Sequence, residues 1–247
     1  MKQTQAFLST YTADVSGVCS ALFELGGMTV MHDASGCNST YNTHDEPRWY
    51  DMDSLVYISG LSELEAVMGD DEKLISDVSD AARQLHPRFI ALAGTPIPMI
   101  TGCDLPAIAR EVEGRTKIPS FAVPSNGIRT YVAGAGQALR LYAERFITSR
   151  PEKRKNAVNI LGATPLDFSV NGCVQSMARR LEEAGFTLQS VFAMSSSIDA
   201  IDKAGAAEAN LVISSVGLPA AKYLQAQFGT PYVIGAPFGD FFSPYVF

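Results

Sequence analysis

Met28-Thr-Val-Met-His-Asp-Ala-Ser-Gly-Cys37 is the stretch from which the fold can be read. It opens with a short apolar run, breaks at His32-Asp33, turns through Ala34, Ser35 and Gly36, and ends on a cysteine. An apolar run of this length, with Gly26-Gly27 before it and a polar turn after it, predicts a buried strand over Met28–His32. Residues just past the carboxyl end of a parallel strand stand where open α/β sheets bind ligands. His32, Asp33, Ser35 and Cys37 are therefore candidate binding residues. A plainer reading of the same residues has Gly36 making a turn and Cys37 packing as a small buried hydrophobe.

Upstream, Val15, Val18, Cys19, Leu22, Phe23 and Leu25 recur with a helical rhythm, which places Cys19 on an apolar face. Downstream, Asn38 to Asp53 reads as a long polar loop containing His44, and Ser54 to Ser59 as a strand. A short helical piece over Leu61–Met68 is followed by a helix that Asp70 or Asp71 caps and Pro87 ends. Arg88 to Gly94 is nearly all apolar, as buried parallel strands are. Thr95 to Gly102, with Pro96 and Pro98, is expected to be a loop beyond that strand and a second candidate site, represented by Thr95. Asp104 opens a helix that runs to Gly114, with Pro106 in its first turn. Ile118–Val123 is a strand, Asn126-Gly127 a turn, and Gly134–Ser149 a helix. The loop after the strand contributes Ser125 as a further candidate binding residue.

The charged segment Ser149 to Lys155, with Pro151, reads as a linker, after which the alternation restarts. Strands are expected over Ala157–Leu161, Thr187–Ala193, Leu211–Ser214 and Tyr232–Ile234, and helices over Val170–Ala184, Ser197–Ala207 and Leu218–Phe228. Cys173 is expected to pack in the core on the side of Met177 and Leu181. The fold class is therefore α/β: two doubly wound, mostly parallel, Rossmann-like sheets in domains 1–149 and 156–247. Because parallel strands present their carboxyl ends to one edge, Asp33, Ser35, Cys37, Thr95 and Ser125 are expected to line one cleft.

The 247 residues are 47% hydrophobic and 18% charged, as expected of an ordinary globular chain. A formal charge of −7 and the absence of a Lys/Arg stripe argue against a nucleic-acid partner. No apolar run approaches a membrane span, and Met1–Ser20 does not read as a signal peptide, so the cytoplasm is the expected compartment. In that setting the 4 cysteines point to free thiols or metal ligation rather than disulfides. There is no CxxC pair, dinucleotide fingerprint or Walker loop. The apolar tail Phe238–Phe247 is a candidate contact surface for an oligomer.

Over nearly its whole length the sequence resembles the nitrogenase component 1 family, which includes nitrogenase molybdenum–iron protein subunits, their cofactor-assembly scaffold and the dark-operative protochlorophyllide reductases. The family's His-Gly-Pro-x-Gly-Cys signature appears as His32-Asp-Ala-Ser-Gly-Cys37, and its Gly-Gly-x-x-x-Leu motif as Gly69-Asp-Asp-Glu-Lys-Leu74. Its Cys-Pro-x-x-Ile-Gly-Asp-Asp-Ile motif appears as Pro96-Ile-Pro-Met-Ile-Thr-Gly-Cys-Asp-Leu105. Asn159–Gly162, Asn210–Val212, Phe228–Tyr232 and Pro237–Gly239 match motifs of the second domain.

The resemblance implies an oxidoreductase subunit that binds an iron–sulfur cluster of the 4Fe–4S type, shared between subunits of a homo- or hetero-oligomer. It also implies electrons supplied by an ATP-dependent iron–sulfur reductase. Cys37 keeps a ligand position, with Cys103 and Cys19 as further metal candidates, and Cys103 stands just before a helix starting near Asp104, whose N-terminus is expected to lower its thiol pKa. Two departures stand out: Pro96 occupies a usual ligand position, and Ser214 aligns with the nitrogenase cofactor cysteine. The family's third domain would lie beyond Phe247. The alternative is a non-catalytic scaffold or a small-molecule-binding α/β protein without its own cluster.

Overall fold

A computed structural model describes residues 13–41 and 46–237, the side chains of Cys37 and Thr40 aside. His44 and the tail Phe238–Phe247 lie outside the described residues. In chain order the elements of the first half are α1 (Asp14–Leu22), β1 (Met28–His32), β2 (Leu55–Ile58), α2 (Glu63–Met68), α3 (Asp71–Leu85), β3 (Ile90–Gly94), α4 (Pro96–Thr101), α5 (Leu105–Thr116), β4 (Ser120–Val123) and α6 (Tyr131–Phe146). Those of the second half are β5 (Arg154–Leu161), α7 (Pro165–Phe168), α8 (Cys173–Glu183), β6 (Thr187–Val191), α9 (Ile198–Asp202), β7 (Ala207–Val212), α10 (Leu218–Phe228) and β8 (Tyr232–Ile234).

The strands form two four-stranded sheets, β2-β1-β3-β4 and β6-β5-β7-β8, parallel throughout. Both therefore have the same winding. In each, the chain leaves the first strand toward one side and returns on the other, so a crevice opens between the carboxyl ends of the two central strands. In the first sheet that switch point lies between β1 and β3, and in the second between β5 and β7.

Strand alternation assigns each face. Ile90 and Leu92 of β3 meet the apolar sides of α3 and α5, with Leu74, Ile75, Val78, Ile108 and Val112. Ala91 and Ala93 face α1 and α6, where the small side chains let the helices approach. In the second sheet Val158, Ile160 and Leu211 pack on α8, while Leu161 and Val212 face α10. Helices α1, α6 and α10 thus form a middle layer within one core that both sheets share.

Close approach within that layer requires glycine. A Cβ on Gly134 would fall 1.9 Å from the Asp14 carbonyl oxygen, and one on Gly17 would fall 2.2 Å from that of Tyr131. The buried Asp14 carboxylate accepts the backbone N–H groups of Asn126 and Gly127 at 3.0 and 2.8 Å, tying the loop after β4 to the start of α1.

Several expected boundaries move, each for a local reason. Thr95–Gly102 is not a loop: Pro96–Thr101 is helical, because prolines at the first and third positions lack only N–H groups that a first turn leaves unbonded. Helix α6 begins at Tyr131, with the Thr130 hydroxyl accepting the Ala133 N–H at 3.3 Å, rather than at Gly134. Strand β5 takes up Arg154 and Lys155 as an exposed extension of the sheet, so part of the expected linker is strand. Cys173 is the first residue of α8 and half-buried, not core, because that helix starts later than expected. No helix among the described residues is long and apolar enough to cross a membrane.

Candidate functional site

Hydroxyl side chains lace the carboxyl edge of the first sheet together. Ser59, just after β2, places its Oγ 2.8 Å from His32 Nδ1 and accepts the Asp33 N–H at 3.1 Å. Thr95, just after β3, donates to the His32 carbonyl at 2.8 Å and is fully buried. Ser125, after β4, donates to the Gly94 carbonyl at 2.9 Å. The ends of all four strands are therefore cross-linked around the β1/β3 switch point, which brings His32, Asp33, Thr95 and Ser125 to one edge. The turn that follows β1 is tight: Ser35 adopts φ 92°, strained for a non-glycine residue, and Gly36 φ 39°. Residues Gly36–Thr40 form a 3-10 turn in which the Asn38 side-chain amide donates to the Asp33 carboxylate. Cys37 lies in this turn, with its side chain outside the described residues.

His32 is buried, and that burial holds its imidazole below the ordinary value of 6.5, against the upward pull of Asp71, Asp33 and Glu65. A folded value below the unfolded one means that the unfolded chain binds a proton the folded chain refuses. Stability is then expected to fall as pH drops from 6.5 toward the folded value. Denaturant midpoints measured at about pH 7 and about pH 5 should diverge more for the wild type than for His32→Gln. Equal losses in both would place the acid sensitivity elsewhere.

Among the described residues the thiols do not gather. Cys19 is fully buried on α1, where burial and the nearby Glu46 push its thiol far above the ordinary range. Cys103 precedes α5, but Asp104 already caps that helix, and the thiol lies 3.8 Å from an Asp71 carboxylate oxygen. Partial burial together with Asp71 and Asp104 pushes it up to about 11, so the expected lowering by the helix start is overturned. Pro96 begins α4 and offers no donor. No group of three His, Cys, Asp or Glu side chains able to hold a metal ion exists among the described residues. These described thiols do not fit a cluster cradle on this chain alone. At the second sheet's switch point, the Ser214 hydroxyl donates to the Gly162 carbonyl at 2.8 Å.

The sequence reading missed a buried charge cluster in the loop after Cys37. Arg48 is 2% exposed and uses every N–H of its guanidinium. Nε and Nη2 donate to the two Glu46 carboxylate oxygens at 2.7 and 3.0 Å, and Nη2 also to the Ser20 carbonyl at 2.7 Å. Nη1 donates to Glu24 at 2.8 Å and to the Ala193 carbonyl, in the second half, at 3.0 Å. The guanidinium stacks on the Phe23 ring, 4.7 Å from its centroid. Glu46 also accepts the hydroxyls of Ser20 at 2.7 Å and Tyr41 at 3.1 Å. Burial raises the Glu46 pKa, but the hydrogen bonds and charge of Arg48 outweigh it and hold the carboxyl below its usual range. Charges in a polar loop look solvated from sequence, and only Pro47 between them hints at a fixed geometry.

Two parallel α/β sheets of identical winding thus share one helical layer, with a cysteine-bearing turn at the first switch point. The profile of the family described as nitrogenase component 1 type oxidoreductase matches residues 15–241, and the chain belongs to that family. Over 196 residues it is 28% identical to the nitrogenase iron-molybdenum cofactor biosynthesis protein NifE of Methanosarcina barkeri, covering 74% of this chain and 42% of that protein. Over 181 residues it is 26% identical to one subunit of the light-independent protochlorophyllide reductase of Nostoc punctiforme, covering 69% of this chain and 36% of that protein. A solved structure titled "Nitrogenase Cp1 at pH 5" superposes with a TM-score of 0.75 at 19% identity, over 95% of this chain and 49% of that one, which bears on the fold. The chain spans less than half the length of these relatives.

Proposed function

We propose that the chain serves as one subunit of a nitrogenase-like oxidoreductase assembly whose working face is the carboxyl edge of the first sheet. In this reading a 4Fe–4S iron–sulfur cluster is completed by a related subunit, this chain supplying Cys37 as its ligand. The cluster would provide one-electron chemistry. The residues of this chain would fix the turn that carries Cys37: Ser59, Thr95 and Ser125 brace the strand ends, and Asn38 and Asp33 set the turn. An ATP-dependent iron–sulfur reductase would dock on the assembly, in the cytoplasm, and the chain would divide into units 1–149 and 156–247.

The observation that carries this reading is the surface beside the turn. Helices α2 and α4 lie against each other with Leu64, Val67, Met68 and Ile100 exposed by 71, 77, 73 and 78%. No side chain of α2 is buried. Apolar density of this kind suits a protein contact. The neighbouring exposed carboxylates of Glu63, Asp70, Asp71 and Glu72 favour a partner with a basic rim.

The test is anaerobic reconstitution with iron and sulfide, on the chain alone and with a related subunit. Visible charge-transfer absorption is expected only with the partner present, and Cys37→Ser should abolish it while Cys103→Ser and Cys19→Ser retain it. A second reading, a scaffold without its own cluster, draws support from Pro96 at the start of α4 and from the Ser214 hydroxyl committed to Gly162. A colourless protein in every mixture would favour that reading.

A further inference from the structure

We propose that Glu24, Arg48 and Glu46 form a latch that holds a strained corner at residues 193–195 of the second half and couples it to the Cys37-bearing turn of the first. Ala193 and Ser195 both adopt left-handed backbone angles, φ 80° and 56°, without being glycine. Such residues keep these angles only where their surroundings impose them. Here the imposing groups come from the other half of the chain. Arg48 Nη1 takes the carbonyl of Ala193 at 3.0 Å, and Glu24 Oε2 takes the N–H of Ser195 at 2.7 Å. Each strained residue is thus gripped by one member of a single ion cluster.

The same cluster reaches the turn at the first sheet's edge. The Tyr41 hydroxyl, immediately after the 3-10 turn Gly36–Thr40, donates to the Glu46 oxygen that Arg48 also holds, at 3.1 Å. Tyr41 is fully buried, so a displacement of the turn moves Glu46, and with it Arg48. On the far side, the Ser195 hydroxyl accepts the Gln175 side-chain amide of α8 at 3.2 Å, which extends the link to a helix of the second half. Charge-assisted bonds of this geometry are strong but all-or-none, because any partner left behind in a buried site is left unpaired. The latch holds the corner in its gripped arrangement. A ligand or partner that shifts the 36–41 turn would release it. The coupling goes beyond the cluster reading and holds whether or not Cys37 binds metal.

Hydrogen exchange of the full-length chain, read by mass spectrometry, tests the latch. Arg48→Met combined with Glu46→Leu removes the buried ion pair at similar volume and leaves Glu24 with the Ser195 N–H, so the fold is expected to persist. Amides of 192–196 and of 36–41 are expected to exchange about tenfold faster in that variant, with α3 and α5 unchanged. Adding Ala193→Gly, which accepts the left-handed angle without strain, should restore part of the lost protection at 192–196. Unchanged exchange at 192–196, or a rise shared equally by α3 and α5, overturns the proposal. So does a failure of Ala193→Gly to recover protection.

Discussion

Arg48→Ala is expected to lower the unfolding free energy by about 3–5 kcal/mol, among the largest effects of any single substitution in this chain. The loss arises less from the bonds removed than from what they leave behind. Glu46 is 1% exposed, and without the Arg48 guanidinium its charge stays buried against the hydroxyls of Ser20 and Tyr41 and the backbone N–H of residue 48 alone. The carbonyls of Ser20 and Ala193 also lose their donor. The pH dependence gives this mechanism a signature. In the wild type the folded Glu46 pKa is depressed, so its contribution is present above the unfolded value of 4.5 and lost as pH falls through the folded one. In Arg48→Ala the carboxyl prefers to be protonated, so acidification relieves the buried charge. The gap between variant and wild type should narrow from about pH 8 to about pH 5, as measured by urea denaturation. A gap constant with pH would mean that lost packing on Phe23, not the orphaned carboxylate, sets the loss.

Gly134→Ala is the second large effect, and it is steric. The new methyl would sit 1.9 Å from the Asp14 carbonyl oxygen, and both sides of that contact are helix backbone, which cannot swing aside as a side chain can. Helix α1 must move as a body, which pulls the Asp14 carboxylate off the N–H groups of Asn126 and Gly127. A cost of about 3 kcal/mol or more is expected, the upper part of the range for overpacked cores. Gly114→Ala supplies the internal control. That glycine is also helical, in α5, but nothing lies within 4 Å of its added methyl, and the change is expected to stabilise by about 0.5–1 kcal/mol. Melting temperatures that move in the same direction for both would refute the close-packing account.

Much of this architecture is legible in the sequence where one signal dominates. Ile90–Gly94 is apolar on both faces because helices cover both, and it reads as strand without ambiguity. Asp70 and Asp104 announce the helices they cap, and Leu218–Phe228 shows both ends, with Pro219 near its start and Gly229 after it. Residues whose meaning depends on a distant partner are harder to read. Gly134 and Gly136 look like a helix start, yet they lie inside α6 because α1 and the turn before α10 press against it. Asn159 and Asn210 are polar residues within strands, and only the fold reveals that they bond each other at 2.7 Å in the interior. Arg48 belongs with them, since its main neighbours outside its own loop are Ser20, Glu24 and Ala193. Of the candidate site, the strand-end residues could be found from the apolar runs that precede them. The fates of the thiols could not, because burial of Cys19 and the approach of Asp71 to Cys103 are tertiary facts.

The shared middle layer also bears on how the protein is made. Helix α6 buries Gly134, Ala135, Ala138, Leu139 and Tyr142, and part of that surface is closed only by α10 and the turn before it. On the ribosome α6 emerges well before Leu218–Phe228 has been synthesised, an interval of several seconds at roughly 5–20 residues per second. During that time the nascent first half shows an alanine- and glycine-lined helical face with no cover. Closure of that face therefore waits for the second half of the chain.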